Sequence, residues 1–203
     1  MGIEYAKTGT AIKPFQLPDE VLLNMARIVR ACAEIEDIIT LHLNKLADLT
    51  EGQSVLLLSR MPVSAKLTLA STLAKVVGKN CVAAHNACFG DAQFADLMRC
   101  RNTIAHGLLL GQTADEGKLA FRTVDVSGAD EGSITVNVIS YELDDFRKYA
   151  ELAIALVPYQ EATLKLEALR KTRRVQDLLP HRKAQKTRKP SVERQRQRKP
   201  PPG

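Results

Sequence analysis

The chain has 203 residues, 45% hydrophobic and 26% charged, with 11 Gly and 9 Pro. That composition suits one main domain with an appendage and excludes collagen-like, disulfide-dense and wholly disordered chains. The net charge of +6 is unevenly placed: residues 170–203 carry 13 Lys and Arg against 2 Asp and Glu, a net of +11, which leaves −5 for residues 1–169. The basic character belongs to a tail, so it does not mark the fold itself as a nucleic-acid binder.

No apolar run approaches about 20 residues, so no membrane partner is expected. The first 15 residues lack a basic start followed by an apolar stretch, which predicts a cytoplasmic protein. Ala6 stands where a myristoylation signal needs Ser or Thr. The four cysteines, Cys32, Cys81, Cys88 and Cys100, are expected to be reduced and buried.

Residues 1–16 read as an irregular arm. From 18 to 49, Val21, Met25, Ile28, Cys32, Ile35, Ile39, Leu43 and Leu46 recur at helical spacing, and Gly52 follows the end. A short helix is expected around 53–58. Met61-Pro62 breaks the chain, and Ser64 is the expected cap of a helix ending at Gly78. Residues 80–89 read as helical. Asp91 is the expected cap of a helix reaching His106, closed by Gly107. Residues 119–126 and 133–141 then alternate with a period of two around a glycine-containing loop, which predicts a β-hairpin at about 118–141. A last helix starts near Leu143, with Pro158 expected to kink or break it. From Arg170 onward there are few aliphatics and no aromatics, too little apolar surface to offset ordering entropy, so 170–203 reads as a disordered basic tail. The fold class is therefore mainly all-α: a helical bundle over 17–169 with one inserted hairpin.

The helix before Gly107 reads DAQFADLMRCRNTIAHG. On a helical wheel Arg101 falls among Phe94, Leu97, Met98, Ile104 and Ala105, in the apolar stripe. A guanidinium there must be paired, or meet an anion at an interface or cleft. Glu34, Glu36 and Asp37 on the first helix are candidate partners, or else a solvated face. Asn102 and His106 lie on one flank, one turn apart. Arg offers a bidentate fork to phosphate, Asn can orient a neighbour, and His can move protons near neutral pH. Arg99 lies only about 20° from His106 on the wheel and competes for the same role. The bland alternative is a surface helix end with a capping His and a snorkelling Arg.

Cys81, His85 and Cys88 share one helical face, but their spacing matches no structural zinc site, so buried packing is favoured and neither metal nor cofactor is expected. The tail's cations, among them Arg173, Arg174, Arg182 and Lys183, suit non-specific binding to RNA or DNA phosphates; a solubilising or localisation role is the alternative.

The string Arg101-Asn102-Thr103-Ile104-Ala105-His106-Gly107, at the end of a mid-chain helix in a helical body, resembles the hallmark of the HEPN superfamily. The resemblance implies a homodimer with facing motif helices and a metal-independent endoribonuclease. Arg101 would hold the scissile phosphate, Asn102 would orient, and His106 would move protons while the ribose 2′-hydroxyl attacks. The products would be a 2′,3′-cyclic phosphate and a 5′-hydroxyl. It also implies a role as toxin or phage-defence effector, with an antitoxin or regulatory protein as partner. In some members the antitoxin modifies a Tyr two residues after the His; Leu108 stands there. The other reading is a non-catalytic HEPN-like dimer that binds RNA or a partner protein.

Overall fold

The computed structural model describes residues 4–5, 12–13, 15–114, 117–127 and 133–166. Two short strands, β1 (Glu4–Tyr5) and β2 (Ile12–Lys13), precede α1 (Asp19–Ala47), α2 (Glu51–Leu58), α3 (Val63–Val77), α4 (Lys79–Phe89) and α5 (Ala92–His106). Then come β3 (Leu108–Thr113), β4 (Leu119–Ser127), β5 (Ser133–Tyr141) and α6 (Leu143–Leu164). The chain is mainly helical with a small antiparallel sheet, as the periodicity predicts.

The long α1 is the spine. Its apolar positions bury Ile28, Ile35, Ile38 and Ile39 completely, against α3, α5 and α6. Each such side chain removed from water contributes about 1.5–3 kcal/mol. Helix α1 stops where Asp48 turns left-handed, at φ 50°. Gly52 does not mark that end: it lies in the first turn of α2, which starts at a Thr50–Gln53 capping box. Helix α3 starts two residues earlier than Ser64 would place it, with Pro62 as its N-cap and no side-chain cap bond. Pro158 does not end α6, which continues through it to Leu164. Pro158 is exposed, so the carbonyl it leaves without an N–H faces water.

The sheet is larger than the expected hairpin. Its order is β1-β5-β4-β3-β2, all antiparallel. The β4–β5 hairpin pairs Leu119 with Tyr141 through to Ser127 with Ser133. Strand β3 adds to it directly from α5, with a register shift between Leu109 and Gly111, where Gly111 takes φ 140°. The segment expected to be irregular contributes both edge strands. Leu119, Phe121, Ile139 and Tyr141 turn inward and join Phe146 and Tyr149 of α6. The ring centroids of Phe121, Tyr141 and Phe146 lie 5.6–6.3 Å apart, in tilted or edge-on contact.

Among the described residues no helix is long and apolar enough to cross a membrane. The tail residues Arg173, Arg174, Arg182 and Lys183 lie outside the described residues.

Candidate nucleic-acid cleft

Helix α5 is fixed at both ends. Asp91 caps its start, accepting from the Gln93 N–H at 3.0 Å. At its other end Gly107 is extended (φ −79°, ψ 149°), not left-handed, and donates its N–H to the Thr103 carbonyl at 2.8 Å. Glycine is required by space here: a Cβ would stand 2.5 Å from that carbonyl oxygen.

The buried face of α5 is Phe94, Leu97, Cys100 and Thr103. The inward stripe is thus centred about a quarter-turn from where the apolar residues alone place it. Thr103 is buried although polar because its hydroxyl donates to the Arg99 carbonyl at 3.0 Å and accepts from Tyr141 Oη at 3.2 Å. Arg101 consequently sits at the edge of the stripe, half-buried, not in its middle.

That edge opens into a cleft of about 800 Å³. Arg99, Arg101, Asn102 and His106 all line it, so the structure brings the four helix residues singled out in the sequence to one space. The facing walls come from Glu36 of α1, Ser64 and Leu67 of α3, and Thr123 and Ile139 of the sheet. Asn102 and His106 are exposed, and Arg101 Nη1 donates to Asn102 Oδ1 at 3.0 Å.

The two arginines differ in their partners. Arg99 is exposed and leans on Asp96, 3.5 Å away. Of the acidic residues on the first helix that were candidate partners for Arg101 or else a solvated face, Glu36 accepts from Lys66 at 2.9 Å. Among the described residues no salt bridge joins Arg101 to a carboxylate, and its one side-chain hydrogen bond goes to a neutral amide. Its charge is still felt in the core: burial pushes the Cys32 thiol up to about 11, and the guanidinium opposes that rise. A half-buried guanidinium facing an open cleft, with no salt bridge to a carboxylate among the described residues, is suited to an external anion.

All four cysteines are free thiols, with Cys81 only half-buried. Burial raises the Cys88 and Cys100 thiols too, so they stay protonated and inert. His85 does not gather Cys81 and Cys88 into a ligand set. Its ring stacks on His42 of α1 at 5.8 Å and tilts against Phe89 at 5.2 Å. Among the described residues no group of three His, Cys, Asp or Glu is arranged to hold a metal ion. Leu108 is exposed at the start of β3, with no hydroxyl to modify.

Comparison with family models, curated proteins and solved structures finds no match. The functional reading therefore rests on the cleft itself.

Proposed function

We propose that the protein is a metal-independent endoribonuclease of HEPN type, acting on RNA in the cytoplasm. One observation carries the reading. An unneutralised guanidinium, a second arginine, an amide and an imidazole from one helix share a solvent-filled cleft large enough for a nucleotide.

The chemistry follows from those groups. Arg101 grips the non-bridging oxygens of one phosphodiester and offsets the charge that builds on phosphorus. The Asn102 amide holds the guanidinium in place. His106 removes the proton from the neighbouring 2′-hydroxyl as its oxygen bonds to phosphorus. The bond from phosphorus to the 5′-oxygen breaks, and that oxygen takes up a proton. The products are a 2′,3′-cyclic phosphate and a 5′-hydroxyl. Among the described residues His106 is the one histidine lining the cleft, while the reaction takes a proton at one oxygen and returns one at another. A homodimer in which a second His106 faces the first supplies both.

The test is incubation of the full chain with a mixed RNA pool in EDTA, beside the Arg101→Ala, Arg99→Ala and His106→Ala variants. Cleavage should leave cyclic phosphate ends. It should fall by at least about a hundredfold in Arg101→Ala and His106→Ala, as loss of a charge-stabilising or proton-transferring group does. Arg99→Ala should retain most activity. Equal cleavage by wild type and His106→Ala would overturn the reading. RNA binding without cleavage would favour the non-catalytic module.

A further inference from the structure

Glu36 is the only carboxylate among the described residues that line the cleft. A carboxylate beside a phosphate-binding guanidinium weakens anion binding unless something offsets it. Here Lys66 does. Its side chain is 5% exposed, against 32% for Glu36, and it donates to Glu36 Oε1 at 2.9 Å and to Thr40 Oγ1 at 3.3 Å. A smaller cavity of about 260 Å³ lies beside the pair, lined by Glu36, Lys66 and Thr40, so Glu36 forms the wall between two spaces.

A buried ion pair is a poor stability device, because desolvation offsets much of the attraction. This pair does something else. It fixes Oε1 on Lys66, and among the described residues no donor reaches the Oε2 of this cleft-lining residue. The ammonium cancels the Glu36 charge locally, so Arg99 and Arg101 keep the cleft cationic. A lone carboxylate oxygen in a phosphate site needs a neutral donor. In a nucleic acid the donor adjoining the phosphate is the 2′-hydroxyl, present in RNA and absent from DNA.

We propose that Glu36, oriented by Lys66, accepts a hydrogen bond from the 2′-hydroxyl of a nucleotide flanking the scissile phosphate, distinct from the hydroxyl that His106 deprotonates, and so selects RNA over DNA. The inference rests on the nucleic-acid reading of this cleft. It is tested by the affinities of an RNA and a DNA oligonucleotide of one sequence, at raised salt to suppress non-specific phosphate contacts. The full chain carries His106→Ala to prevent cleavage. RNA should be preferred by about tenfold to a hundredfold, the worth of one hydrogen bond to a charged acceptor. Glu36→Gln should bring the ratio close to one, with DNA affinity unchanged or higher. If Glu36→Gln melts early, pairing it with Lys66→Met removes the orphaned ammonium, and the same ratio is read there.

An unchanged ratio overturns the proposal. So does an equal loss for both polymers, which marks a structural role, or a loss that follows base identity. Failure of the two readings is separable. Cleavage that depends on His106 beside an unchanged ratio refutes only the sugar contact. A ratio abolished by Glu36→Gln in a protein that cleaves nothing refutes only the nuclease.

Discussion

Replacing His42 by leucine should make the fold less sensitive to acid. His42 is 4% exposed on α1, and among the described residues neither ring nitrogen has a hydrogen-bond partner. Burial, then the neighbouring His85 and the Lys45 ammonium, hold its pKa down from 6.5 to about 4. The unfolded chain therefore takes up a proton that the folded chain refuses, and acid pulls the equilibrium toward unfolding. The contribution is complete above the unfolded value and is lost as pH falls through the folded one. At about 1.4 kcal/mol per unit, a shift of about 2.5 units is worth roughly 3 kcal/mol in full. About 2.5 kcal/mol of it should be gone by about pH 4.5. His85 is shifted the same way by its own burial and adds to the effect. Urea unfolding followed by circular dichroism, in steps from about pH 8 to about pH 4.5, reads this directly. The carboxylates titrate in both proteins, so the difference between wild type and His42→Leu isolates the imidazole. The two stabilities should diverge as pH falls, with wild type losing more. Parallel curves would show that the buried ring is hydrated or already protonated, and would refute the argument.

Gly107→Ala should destabilise the protein by about 1–3 kcal/mol, since the new methyl meets backbone and not a flexible side chain. A thermal midpoint lower by several degrees is expected, and an unchanged midpoint would mean that the junction yields freely. Deleting residues 170–203 should weaken RNA binding at low salt and flatten its salt dependence, because fewer phosphate contacts release fewer counterions. An identical salt slope with and without the tail would remove it from RNA binding.

The long helix α1 was legible because it writes a 3.6-residue apolar period, and the shorter helices because Pro, Gly and capping residues punctuate them. Strand β3 was not: Leu108-Leu109-Leu110 is a run without alternation, and what makes it a strand is the edge of β4. The edge strands β1 and β2 are two residues long and exist only through pairing. The helix side of the cleft was legible because Arg99, Asn102 and His106 lie within about 60° of arc on the wheel. Its facing wall was not. Glu36, Ser64 and Thr123 come from three other elements; only Glu36 could be guessed, as one of three acidic candidates, and nothing in the local sequence of Ser64 or Thr123 points at Arg101. Thr103 misled the wheel, since its burial depends on a hydroxyl donated by Tyr141, far along the chain.

The junction at Gly107 has a mechanical consequence. Helix ends ordinarily fray, and a side chain on the last turn then samples many positions. Here a single residue joins α5 to β3, and the Thr103 hydroxyl ties the same turn to Tyr141 of β5. The imidazole of His106 thus rides on the sheet and not on a loose terminus. Its position at the mouth of the cleft is therefore set by how strand and helix join, not by the fraying of a free end.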